Sequence, residues 1–117
     1  MRPKSPKYLE DIREAAAFIV SVTNGTTLAS YRGNRLVRSA VERNFEIIGE
    51  AVRRLVQYDP ETAKQIGDYP HIIAFRNLLA HGYDLVDDER VWKTIREDLP
   101  TLLDKVTSLL PKSKGAS

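Results

Sequence analysis

The side chains able to do chemistry gather in one short run, Arg76-Asn77-Leu78-Leu79-Ala80-His81-Gly82-Tyr83-Asp84. It holds a permanent cation, an imidazole and a phenol, and each has a plain use at a phosphodiester. The imidazole of His81 exchanges a proton near neutral pH and can serve as general base or acid. The Arg76 guanidinium presents a planar fork of donors that suits phosphate oxygens and can stabilise charge growing on them. Asn77 adds a neutral amide donor and acceptor, and Tyr83 can hydrogen-bond a base or stack on it. Arg76 and His81 are candidate catalytic residues, Asn77 and Tyr83 candidate substrate contacts.

Spacing constrains this reading. Arg76 and His81 are five residues apart, which at roughly 100° per residue puts them about 140° apart around a regular helix. Either the helix frays before His81, as Gly82 would encourage, or the two groups meet across a two-fold axis, which also supplies two copies of each. Structural roles compete with the catalytic ones. A histidine at a helix C-terminus often serves the last carbonyls and the dipole. Arg76 can pair with an acid on a neighbouring helix, and Tyr83 can plug the edge of the core. From residue chemistry alone these structural roles are the better account.

Other candidates are weaker. Glu46 and Glu50 lie four apart and share a helix face. An acid–base pair is conceivable there, but a stripe that pairs with Arg43, Arg53 or Arg54 is the better reading. His71 lies ten residues from His81, roughly 15 Å along a helix, so it makes a poor catalytic partner and a poor metal pair. It reads as a surface or capping residue. The chain has no cysteine, which removes disulfides and thiolate zinc sites and fits a reducing compartment. No metal or cofactor is expected.

The elements that must position these residues are helical. A first helix is expected from Ser5, with Pro6 at its start, to about Val22, stopping at Asn24-Gly25. Leu9, Ile12, Ala16, Ile19 and Val20 form its apolar side. A connector follows, with a short turn beginning at Thr27. Asn34 caps a long second helix to about Tyr58, whose stripe is Val37, Ala40, Val41, Ile48, Ala51, Val52 and Leu55. Asp59-Pro60 starts a short piece that fades at Gly67. The chain resets at Asp68-Tyr69-Pro70. A helix from about His71 to Ala80 or His81 carries the motif and stops at Gly82. Asp87 or Asp88 caps a last helix to Leu110, with Val91, Ile95, Leu99, Leu102, Leu103, Val106, Leu109 and Leu110 inward. Pro100 within it should kink or split it near Leu99. No segment alternates with period two. The expected fold is an all-α, up-and-down bundle of four main helices plus one short one.

The chain has 117 residues, 42% of them apolar, enough for one core and too few for two domains. A single domain, 1–117, is expected, with its core at about 5–110, loose residues at Met1 to Lys4 and a loose tail at 111–117. No apolar run approaches the roughly 20 residues of a membrane span, and no signal-peptide segment follows the basic N-terminus, so a cytoplasmic, membrane-free protein is expected. The net charge is 18 − 16 = +2 with a pI near 9.0. This permits a nucleic-acid partner without arguing for one.

The pattern Arg76-x4-His81-x-Tyr83 resembles the HepT-like family of the HEPN superfamily. Ala40-Val-Glu-Arg-Asn-Phe-Glu-Ile-Ile-Gly-Glu-Ala51 is similar to that family's long helix, and Val91-Trp92-Lys-Thr-Ile-Arg-Glu-Asp-Leu-Pro100 to its last one. The resemblance covers Tyr8 to Leu110. One departure is His71, where the family often has tryptophan after the proline. The resemblance implies a HEPN-like bundle and a metal-independent endoribonuclease toxin of a type VII-like HepT/MntA toxin–antitoxin system. It implies Arg76 and His81 as the catalytic pair in a cleft between the protomers of a homodimer or higher oligomer. There His81 would assist attack of an RNA 2′-hydroxyl on the adjacent phosphate. It further implies an MntA-type nucleotidyltransferase antitoxin that adds AMP to Tyr83 and so blocks RNA. Two other functions compete: a non-catalytic helical binding module or partner subunit of a nucleotidyltransferase, and a helical scaffold of unrelated role.

Overall fold

In the computed structural model α3 is the element about which the others are arranged. The structure describes residues 1–67, 69–81 and 87–110, without the side chains of Tyr69, Leu78, Ala80 and His81. In chain order the helices are α1 (Ser5–Thr23), α2 (Leu28–Gly33), α3 (Arg35–Tyr58), α4 (Pro60–Lys64), α5 (Tyr69–His81), α6 (Asp88–Lys93) and α7 (Leu99–Leu109). A five-residue π turn, Thr94–Asp98, joins α6 to α7. There is no strand among the described residues. The fold is all-α, with the four main helices that the periodicity indicates. The turn expected at Thr27 is a short helix of its own, capped by the Thr27 hydroxyl. The expected stop at Gly82 and the tail 111–117 lie outside the described residues.

α3 begins where Asn34 accepts the Val37 amide and ends at Asp59. Val41, Phe45, Ile48, Val52 and Leu55 recur every three or four residues and are buried. α1 lies along this helix and also meets α7, burying Leu9, Ile12, Ala16 and Ile19, whereas Val20 turns to the exposed side. α5 packs chiefly on α3. The edge-to-face pair of Phe45 and Phe75, 5.2 Å between ring centres, joins the two. Tyr31 of α2, fully buried, packs against Trp92 of α6 at 5.4 Å.

Two details depart from the pattern read along the chain. The expected division near Leu99 is present, but as a π turn that leads into α7 without a gap, with Pro100 in the first turn of α7. The proline ring would crowd the Arg96 carbonyl and it has no N–H to donate. The preceding turn widens instead, with the Leu99 N–H reaching back five residues to the Thr94 carbonyl. The widened turn absorbs the four-residue spacing of Val91, Ile95 and Leu99, so all three stay buried. The N-terminus is also not loose. Asp59, 4% exposed, caps α4 through the Thr62 amide. It also accepts bonds from the Thr62 hydroxyl at 2.6 Å, the Ser5 hydroxyl at 2.7 Å and the Arg2 amide at 3.0 Å. The Lys4 amide donates to the Tyr58 hydroxyl, and Arg2 sits over the Tyr58 ring. The Arg2 amide, then the Thr62 and Ser5 hydroxyls, hold the Asp59 carboxyl well below its ordinary 3.8.

Asp59 therefore ties the start of α1 to the α3–α4 junction. Replacing it with Ala should lower the thermal midpoint, followed by circular dichroism, by several degrees at pH 7. Thr27→Ala, which removes a single exposed cap, should cost less. A depressed carboxyl pKa stabilises the fold above the ordinary carboxylate range and loses that contribution as pH falls. The gap between Asp59→Ala and wild type should thus narrow in acid. Equal midpoints at pH 7 would show that the junction does not depend on Asp59.

Candidate active site

Arg76 falls on the buried stripe of its own helix. Ile72, Phe75 and Leu79 lie at i, i+3 and i+7, and Arg76 takes i+4, where an apolar residue would ordinarily stand. A guanidinium can sit there because of what lies opposite. Gly49 on α3 faces the Arg76 stem, and a Cβ at position 49 would land on the Arg76 Cβ and Cγ. The missing side chain lets the arginine stem lie against α3. A glycine inside a helix costs about 1 kcal/mol relative to alanine, and here the helix gains a close approach in return.

From that seat the Arg76 head reaches a polar groove of about 330 Å³, lined by Tyr8 and Asp11 of α1, Arg43, Glu46, Ile47, Glu50, Ala51 and Arg54 of α3, and Arg76 itself. Arg76 Nη1 donates to the Asn77 side-chain oxygen at 3.1 Å, and Nη2 lies 3.7 Å from Glu50 Oε2. Its buried Nε has no acceptor among the described residues. Glu50 accepts from Arg53 at 2.6 and 3.2 Å and from Arg54 at 3.2 Å. The Arg53 bonds, with help from Arg54 and Arg76, pull its carboxyl down to about 2. A group so acidic makes a poor general base. Glu46 lies 3.7 Å from Arg43. The two glutamates are thus an ion-pairing stripe, the better of the two sequence readings, and not an acid–base pair.

The expected site residues are only partly brought together. Asn77 adjoins Arg76 through their hydrogen bond and is exposed. α5 stays helical through His81, so positions 76 and 81 are about 140° apart around one helix. The fraying alternative is not what the backbone adopts. The His81 side chain, Tyr83 and Asp84 lie outside the described residues. His71 is exposed at the start of α5, on the rim of a more apolar hollow between α3, α5 and α7. Among the described residues no three His, Cys, Asp or Glu side chains are placed to hold a metal ion. Gly49 was not picked out from the sequence, although an isolated glycine inside a long helical pattern is the signal that could have found it. In the sequence Glu50 stands out only through the helix face it shares with Glu46.

The all-α bundle thus seats one guanidinium over a polar groove, with the His81 position about 140° further round the same helix. The chain belongs to the HepT-like ribonuclease family, whose model, described as "Ribonuclease HepT-like", matches residues 12–109. By class it is an endoribonuclease. It is 31% identical over 99 residues to "Putative RNase MJ1380" of Methanocaldococcus jannaschii, covering 85% of this chain and 90% of that protein. It is 30% identical to "Putative RNase TTE0752" of Caldanaerobacter subterraneus, covering 95% and 99%. It is 33% identical to "Probable ribonuclease HepT" of Thermococcus cleftensis, covering 93% and 98%. No solved structure matches the chain significantly.

Gly49→Ala tests the seat of Arg76. Alanine would favour an isolated helix by about 1 kcal/mol, but the collision with the arginine stem is an overpacking of about 1–3 kcal/mol. The close overlap puts the clash at the upper end. Urea unfolding should show a net loss of about 1–2 kcal/mol. A more stable Gly49→Ala protein would mean that α5 does not need the close approach.

Proposed function

We propose that this chain is a metal-independent endoribonuclease toxin of a type VII-like HepT/MntA system, with Arg76 and His81 as its catalytic pair. The carrying observation is the Arg76 guanidinium, its stem seated against Gly49 of α3, its Nη1 bonded to Asn77 at 3.1 Å, Glu50 at 3.7 Å from Nη2, and an Nε that has no acceptor among the described residues. A fixed guanidinium with open donors suits a phosphodiester. Asn77 would steady the guanidinium or meet the phosphate beside it.

In this reading His81 takes the proton of an RNA 2′-hydroxyl. The 2′-oxygen attacks the adjacent phosphorus, the P–O5′ bond breaks, and Arg76 balances the charge on the phosphate oxygens. The 5′-oxygen leaves with a proton, so the products are a 2′,3′-cyclic phosphate and a 5′-hydroxyl. One observation favours a homodimeric cleft. α5 is helical through position 81, which keeps Arg76 and His81 of one chain on different sides. A two-fold axis would then offer His81 of the partner subunit as the acid. Tyr83, two residues after His81 in the sequence, would contact RNA. It would also be the acceptor of AMP from an MntA-type nucleotidyltransferase, its hydroxyl oxygen displacing pyrophosphate from ATP. The added phosphate and base would repel and obstruct the RNA.

Purified chain incubated with RNA in EDTA should cleave it, and the products should carry cyclic phosphate ends. His81→Ala should lose at least about 100-fold in rate and Arg76→Ala about 100–1,000-fold, both with unchanged helicity. Full-rate cleavage by a folded His81→Ala protein would remove the assignment. No cleavage by wild type would favour the binding-module reading. With an MntA-type partner and ATP, wild type but not Tyr83→Phe should gain the mass of AMP.

A further inference from the structure

Glu50 directly follows Gly49, at the point where α3 meets the Arg76 stem, and three guanidinium groups converge on it from two helices. The bonds are unequal. Arg53 takes both carboxylate oxygens, at 2.6 and 3.2 Å, and Arg54 adds a third bond at 3.2 Å. Arg76 stands off at 3.7 Å, beyond a normal hydrogen bond but well within Coulomb attraction. Arg76 and Glu50 are each 29% exposed, so the attraction is less screened than at the open surface. Fork-to-fork pairing of Glu50 with Arg76 would have occupied the donors that a phosphate needs. With three bonds from Arg53 and Arg54 already on its carboxylate, Glu50 attracts the guanidinium without covering it.

We propose that Glu50 is a positioning residue for RNA cleavage: it holds the Arg76 guanidinium over the groove with its donors open to the scissile phosphodiester, and Arg53 and Arg54 keep Glu50 from closing on it. This inference rests on the assignment of Arg76 to the phosphate. It carries a particular kinetic consequence. A fixed anion near the phosphate opposes ground-state binding of RNA, while the order it imposes on Arg76 favours the transition state. Removing the charge should therefore move kcat and KM in the same direction, which a loss of folding would not do.

The test is steady-state cleavage of a short single-stranded RNA oligonucleotide in EDTA by the full chain and by Glu50→Gln, Glu50→Asp and Arg76→Ala. Thermal midpoints of all four are measured alongside. Glu50→Gln keeps the shape and loses the charge. Its kcat should fall roughly tenfold, the scale expected when a catalytic group is displaced by a fraction of an ångström. Its KM should fall too, and its midpoint should stay within a few degrees of wild type, since Phe45, Phe75 and Gly49 still hold α5. Glu50→Asp should recover part of kcat. Wild-type kcat in Glu50→Gln, or a kcat loss accompanied by a raised KM and a lowered midpoint, would overturn the positioning role while Arg76→Ala still registers the nuclease. If wild type does not cleave, or Arg76→Ala cleaves as well as wild type, the assignment of Arg76 fails and this inference fails with it.

Discussion

Arg76 lies against α3 because position 49 carries no side chain, and from that seat its charged head meets Glu50 and the polar groove. The other features of the site depend on this contact. α5 has α3 as its principal neighbour, so a change in their separation moves everything α5 carries. The aromatic pair Phe45–Phe75 holds the apolar part of the contact, and Gly49 admits the polar part. An arginine on the buried stripe of a helix would ordinarily be a costly choice. Here the stem packs as hydrocarbon and the head emerges beside a carboxylate, which is how long cationic side chains tolerate partial burial.

The groove beside Arg76 is balanced in charge. Its lining includes Arg43, Arg54 and Arg76 against Asp11, Glu46 and Glu50, three cations to three anions. Such a surface does not hold RNA by bulk phosphate neutralisation. Selectivity has to come from where each charge is held, and the holding is specific: Arg53 and Arg54 engage Glu50, Arg43 stands beside Glu46, and Arg76 keeps a buried Nε with no acceptor among the described residues. A chain with a net charge of only +2 can still present one well-placed cation.

The scaffold around α3 is fastened at two further places. Asp59 gathers bonds from Arg2, Ser5 and Thr62 and joins the start of α1 to the α3–α4 junction. The π turn lets the last helix run past Pro100 while Val91, Ile95 and Leu99 remain in the core. α1 contributes Tyr8 and Asp11 to the groove, so the fastening of its first turn bears on the shape of the site as well as on stability.

Much of this was legible along the chain. Apolar spacing and the caps at Asn34, Asp59 and Asp87 or Asp88 determined the main helices, because capping and periodicity are local properties of neighbouring residues. Residue type alone left the run from Arg76 to Tyr83 open between structural roles and phosphate chemistry, and its pattern resembles the family to which the chain belongs. Partners across helices were not legible, because spacing along one helix carries no information about which residue of another helix stands opposite. Only the folded arrangement set Gly49 under the Arg76 stem and placed Glu50 at arm's length from its head. It likewise brought Ser5 to Asp59, 54 residues away, and gave the expected kink or split near Leu99 the form of a π turn, since a wider turn accommodates the proline while Ile95 and Leu99 both stay buried.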